Sequence, residues 1–194
     1  MKKFFVKAAL CLSIGTLGLT TASCGSEDLS GIVNELITQL ITNLVGQKGQ
    51  VYNYSVKGTA QRLDKSGNSY VNNTSAKAFT ATLPVTVNNS TAMFVLPAME
   101  IDGIKMTDIT YNNLTLTAAT NGEYTSMDVS NNLEVSGTAT INGTEYPARD
   151  LYIKEACLTS AGIYITTMQI YFGENGEYVL SLANVQGDVI SASN

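Results

Sequence analysis

The sequence predicts a mainly β domain, an antiparallel barrel or sandwich, preceded by one amphipathic helix. Three observations carry this. From about Val51 onward apolar residues recur at every second position. Turn-forming dipeptides separate these runs at short intervals. Only one segment, Leu29 to Val45, repeats its apolar residues at helical period.

The alternation is clearest in two stretches. Phe79, Ala81, Leu83, Val85 and Val87 alternate with Thr80, Thr82, Pro84 and Thr86, and Leu133, Val135, Gly137, Ala139 and Ile141 alternate with Glu134, Ser136, Thr138 and Thr140. Successive side chains of a strand point to opposite faces, so each stretch reads as one strand with an apolar and a wet side. Tyr52, Tyr54 and Val56 repeat the pattern, as do Tyr178, Leu180 and Leu182. Pro84 interrupts its strand on the polar side and predicts an edge or a bulge there, because proline has no N–H to donate to a neighbour.

Asp102-Gly103 and Asn142-Gly143 each follow an isoleucine and favour type I′ hairpin turns, since both residue types tolerate positive φ. Asn121-Gly122, Asn175-Gly176 and Ser66-Gly67-Asn68 mark further turns. The count is eight to ten strands joined mostly by hairpins, with no helical crossover after Gly46, which is a meander. Ile163 to Phe172 is apolar on both faces, as in a strand buried inside and covered outside.

In the helix, Ile32, Leu36, Leu40 and Leu44 form one row and Val33, Ile37, Ile41 and Val45 the next. Ser30 can cap its start and Gly46 can end it. Such a stripe is expected to pack on the barrel or across its mouth. The alternatives are a partner-binding helix or one lying in a lipid interface, and against the last the polar face carries no Lys or Arg.

Ahead of the helix, Lys2, Lys3 and Lys7 precede an apolar run from Ala8 to Leu19, followed by Thr21-Ala22-Ser23-Cys24. Basic, apolar and small residues in that order make a secretion signal. The run is too short to span a bilayer, which needs about 20 residues. A cysteine at the cut site resembles a bacterial lipobox, which implies that Cys24 carries diacylglycerol and becomes the mature N-terminus. The expected division is therefore 1–23 signal peptide, 24–49 lipidated tether and helix, and 50–194 β domain. Gly25-Ser26-Glu27-Asp28 reads either as a polar tether or as the acidic export signal of some surface lipoproteins.

Loss of the signal removes three lysines and no acids, taking the net charge from −5 to −8. Such a chain has no basic patch with which to replace counterions on phosphate, so nucleic acid is an unsuitable partner. Cys11 leaves with the signal and Cys24 is the acylation site, so Cys157, beside Ala156 and Leu158, is expected in the core.

Read as a whole, the chain resembles small Gram-negative lipoproteins with a calycin-like (lipocalin-like) β-barrel domain. The resemblance rests on Phe94-Val95-Leu96-Pro97, on Ile101-Asp102-Gly103-Ile104-Lys105-Met106, on Asp108-Ile109, and on the alternating strands and NG or ENG turns from Leu133 to Val185. It implies an up-and-down barrel beginning near Gln50 and a place in the cell envelope, at the outer membrane. The Gly-x-Trp motif of true lipocalins is absent and the chain has no tryptophan, so no lipocalin ligand carries over.

The chain has no histidine, which removes Ser-His-Asp and Cys-His catalysis and histidine zinc ligands. Glu100 and Asp102, two apart beside a DG turn, read as solvated rim charges rather than a glycosidase pair. Asp64-Lys65-Ser66-Gly67-Asn68 lacks the late bidentate acid of a calcium loop and reads as a hairpin. Tyr52, Tyr54, Tyr111, Tyr152, Tyr164 and Tyr171 lie on predicted strands, where they either pack structurally, line a cavity or form a glycan platform.

No enzyme activity, cofactor or metal site is expected, and no ligand-binding residue stands out. Two functions remain. One is a non-enzymatic binding protein holding a small apolar or glycan ligand in or on its barrel. The other is a structural lipoprotein whose filled barrel docks other envelope proteins, since eight strands enclose either packed side chains or one small ligand.

Overall fold

The computed structural model describes residues 47–72, 74–118 and 125–193. The signal segment, Cys24, the Leu29–Val45 helix and the Asn121-Gly122 turn lie outside the described residues.

Among the described residues thirteen strands follow one another: β1 (Gln47–Ser66), β2 (Ser69–Asn72), β3 (Lys77–Asn89), β4 (Thr91–Leu96), β5 (Met99–Ile101), β6 (Ile104–Met106), β7 (Ile109–Ala118), β8 (Thr125–Asp128), β9 (Glu134–Ser136), β10 (Thr138–Ile141), β11 (Thr144–Leu158), β12 (Gly162–Phe172) and β13 (Tyr178–Ser193). Eight of them, β1, β3, β4, β7, β8, β11, β12 and β13, close into an antiparallel barrel whose neighbours follow chain order. β13 returns to β1 over a long seam, from Val51 opposite Ser193 to Asp64 opposite Tyr178. The seam between β8 and β11 is short: Ser126 faces Cys157 and Thr125 faces Leu158.

The antiparallel barrel is the predicted one, but thirteen strands stand where eight to ten were expected, and β1 starts at Gln47. The DG and NG dipeptides close the β5–β6 and β10–β11 hairpins with positive φ at all four residues, as type I′ turns require. Ser66-Gly67-Asn68 turns β1 into β2 as a hairpin.

One predicted strand breaks in two. Leu133 to Ile141 is interrupted at Gly137, whose φ is +113 and where a Cβ would sit 2.4 Å from the carbonyl oxygen of Asp108. Only glycine fits that approach. β9 before it pairs with β7, while β10 after it pairs with β6. A second small sheet results, β5-β6-β10 and the first residues of β11, joined to the barrel through β11.

The alternation places one side chain in two inside the barrel. Tyr54, Phe94, Tyr111, Phe172, Leu83, Leu96 and Leu114 are fully buried and belong to one apolar cluster. Ile104 and Ile141 from the small sheet join the same cluster, also fully buried. Phe94 and Tyr111 rings lie 6.4 Å apart. Tyr54 donates its hydroxyl proton to the carbonyl of Thr159 at 2.9 Å, so the polar end of a buried ring is satisfied.

In β7 an extra residue, Asn113 at φ +64, shifts the inward phase from Tyr111 to Leu114. Cys157 is buried, as expected, and β12 opens with four consecutive buried residues, Gly162–Ile165, consistent with its two apolar faces.

Candidate functional site

Among the described residues, β3 has a strand on both sides only near its C-terminal end. It pairs with β1 from Lys77 to Asn89, but with β4 only from Val85 to Asn88. Asn89 and Ser90 form a two-residue turn, so Asn88 and Thr91 are the hydrogen-bonded pair that closes it. Counting back in twos, the backbone groups of Thr86, Pro84, Thr82, Thr80 and Ala78 point toward the β4 side. The missing N–H of Pro84 therefore falls where β4 pairing stops. The edge predicted from Pro84 is real. Beyond it no described strand pairs with the flank from Ala78 to Pro84.

Across from this flank lies β5, which pairs only with β6. A surface groove runs between the two, lined by Lys77 to Thr80 on one side and Met99 to Gly103 on the other. Phe79 is buried and Ile101 nearly so, while Thr80, Thr82 and Glu100 are exposed. The slot thus has an apolar floor, a polar rim and unpaired strand backbone.

Asp102 closes one end of the slot, and here the expectation of a solvated rim charge is corrected. Its side chain is 1% exposed. One carboxylate oxygen lies 3.1 Å from Nζ of Lys77; the other accepts the amide N–H of Arg62 at 2.9 Å and the hydroxyl of Thr74. Burial pushes its pKa up, but the Thr74 hydroxyl, the Arg62 amide and the Lys77 ammonium outweigh that and hold it below the usual carboxylate range. Glu100 remains an exposed rim charge.

Arg62 continues the polar cluster inward. Its guanidinium grips Asp64 with bonds of 2.6 and 3.1 Å and lies 4.8 Å over the Tyr178 ring, which Tyr146 meets edge-on at 5.0 Å. That fork geometry and ring stacking suit arginine and not lysine.

The six tyrosines divide. Tyr52, Tyr54 and Tyr111 pack in the core cluster, and Tyr164 is buried. Tyr152 and Tyr171 stand on the outer wall, because their neighbours Leu151, Ile170 and Phe172 take the inward positions. Tyr70 on β2 joins them, its ring 6.0 Å from that of Tyr171 at an angle of 70°. β2 is four residues long and exposed throughout. No apolar alternation announces it, although Tyr70-Val71 is itself a good strand dipeptide.

Among the described residues no three Cys, Asp or Glu side chains converge as a metal site. Comparison with protein families, with curated proteins and with solved structures finds no match to this chain.

Proposed function

We propose that this chain is an outer-membrane lipoprotein of calycin-like build, anchored through Cys24, that has no enzymatic role and docks a partner protein of the envelope on its barrel's outside. Its anchor is the acyl group on Cys24, and the Leu29–Val45 helix packs against the domain. The observation that carries the docking role is the open flank of β3. It offers unpaired N–H and C=O groups at strand spacing beside an apolar floor, which is the chemistry of strand addition. The fitting occupant is an extended polypeptide segment with apolar residues at alternate positions, facing Phe79 and Ile101, and polar residues facing the Thr80–Thr82 rim. A ligand held inside the barrel has less in its favour, because bulky side chains from all around the wall already meet in one cluster there.

The test is position-specific photo-crosslinking of the acylated protein in its own membrane. A photoreactive residue at Thr82 should give a discrete protein adduct that one at Lys154, on β11, does not. Thr80→Pro removes one N–H that points into the slot without breaking a bond of the fold, so it should abolish the Thr82 adduct while leaving the melting temperature near wild type. Equal adducts at Thr82 and Lys154, or a Thr82 adduct that survives Thr80→Pro, would overturn the strand-addition reading. Cys24→Ser should release the protein from the membrane fraction and remove the adduct with it.

A further inference from the structure

The outer wall formed by β11, β12, β13, β1 and β2 carries a second surface, separate from the β3 slot. Asp150 on β11 faces Tyr171 on β12, Tyr171 faces Val179 on β13, Val179 faces Leu63 on β1, and Leu63 faces Asn72 on β2. One step along the strands, Tyr152 faces Gln169. Tyr152, Tyr171 and Tyr70 therefore share one outward face. Tyr152 is 48% exposed and Tyr70 38%, which places both among the few large apolar side chains left in water by the described residues.

Two of these rings, Tyr70 and Tyr171, are fixed before any ligand arrives. Tyr70 donates its hydroxyl proton to the carbonyl of Gly176 at 2.8 Å, and Tyr171 donates to Oε1 of Gln169 at 2.9 Å. A platform already held in place loses little conformational entropy on binding. Between Tyr70 and Tyr171 a groove is lined by Arg149, Asp150, Glu174 and Asn175. Arg149 and Glu174 meet at 3.5 Å, but both are well exposed, so solvent screening leaves little to hold them together and either can turn to a ligand.

Flat aromatic faces beside planar carboxylate, amide and guanidinium groups match one kind of molecule. A pyranose ring presents a face of C–H groups, which packs on the negative face of an aromatic ring, and an equatorial girdle of hydroxyls, which planar side chains bind in pairs. The charges beside the rings are mixed in sign, a cation between two carboxylates, which favours an uncharged chain over an acidic one. We infer that this wall binds a neutral polysaccharide, with Tyr152 and Tyr171 as the stacking rings and Asp150 and Gln169 as hydroxyl acceptors. The inference goes beyond the docking role and does not depend on it, since it uses a different wall and different residues.

Affinity electrophoresis tests it directly: the mature domain is run through native gels containing dissolved laminarin, galactomannan or arabinoxylan, with polygalacturonate as the acidic comparison. Retardation by at least one neutral polymer and not by polygalacturonate is expected. Tyr152→Ala, an exposed change that leaves the fold intact, should weaken it by about three- to tenfold, the range of a single aromatic contact. Tyr171→Phe, which keeps the ring and loses only the anchor to Gln169, should weaken it less. Thr80→Pro should leave it unchanged. No retardation in any neutral gel, retardation only by polygalacturonate, or retardation unaffected by Tyr152→Ala would overturn the proposal, and none of these results bears on the β3 slot.

Discussion

At Asp102 the backbone and the side chain impose separate demands that one residue type meets together. The hairpin needs positive φ, here +56, and the slot needs a buried anion to accept from Arg62 and Thr74 and to pair with the Lys77 ammonium. Asparagine meets the first demand and fails the second. Asp102→Asn is therefore expected to keep the turn and lose about 1–3 kcal/mol at neutral pH, the cost of weakening bonds to a buried charged acceptor. The sign of the pH dependence follows from the depressed pKa. The carboxylate's contribution is complete above the unfolded value of about 3.9 and is lost as pH falls through the lower folded value. Urea midpoints for wild type and Asp102→Asn should thus converge in acid. A gap of constant size from pH 7 to pH 2 would mean that shape alone, not charge, matters there. The burial of Asp102 was illegible in the sequence because its partner Arg62 lies forty residues away; the DG dipeptide reveals the turn and nothing of what the turn touches.

At the scale of elements, local signals proved dependable wherever a strand keeps one phase. Phe79 to Val87 could be read directly, and so could the proline that marks the end of β4 pairing. The Leu133–Ile141 stretch has the same alternation, yet Gly137 carries its two halves into different sheets. Periodicity reports which face a residue shares, not which neighbour its strand chooses. The small sheet β5-β6-β10 was invisible for that reason, and so was the slot it forms with β3. The outer tyrosine wall was half visible: Tyr152 and Tyr171 sit on strands with clear phase, whereas Tyr70 lies on a strand too short to show one.

Close approach makes a sharper test of the element packing. At Gly187 a Cβ would fall 1.8 Å from the carbonyl oxygen of Ser55, so β13 and β1 meet there only because the side chain is absent. Gly187→Ala should cost about 3 kcal/mol or more, at or beyond the upper end of overpacking costs. Gly67→Asn, in open space at φ +61, should change stability by less than about 0.5 kcal/mol. Paired urea denaturation curves check both, and similar midpoints for the two variants would contradict the seam as described.

Across the whole molecule, the packed interior makes ionisation inside it costly. Burial pushes the phenols of Tyr54 and Tyr111 far above their ordinary pKa, with neighbouring Tyr52 and Cys157 adding to the effect at Tyr54 and Asp150 at Tyr111. Their neutral forms are favoured only in the folded state. The stability tied to them is fully present below the unfolded pKa of about 10 and declines as pH rises above it. Denaturation midpoints measured between pH 9 and pH 12 should be level at first and then fall steeply. Tyr54→Phe, though it forfeits the bond to Thr159, should fall less steeply than wild type. Midpoints that stay level to pH 12 would require a wetter interior than the one described.

The long seam between β1 and β13 also sets an order of events. Val51 and Ser193 are partners although almost the entire domain separates them along the chain. Every other barrel seam joins strands with at most two short strands between them in the chain, so neighbours can assemble progressively, but this one joins the two ends of the described domain. Loop-closure entropy must be overcome before its bonds contribute. A nascent chain therefore cannot complete the cylinder until its last strand has been delivered. Until then, β1 carries an unpaired edge along nearly its whole length, exposed to any other strand nearby. The interval before the cylinder closes is consequently the period of greatest risk for this protein, and a chaperone that shields β1 until β13 arrives would act at the point of need.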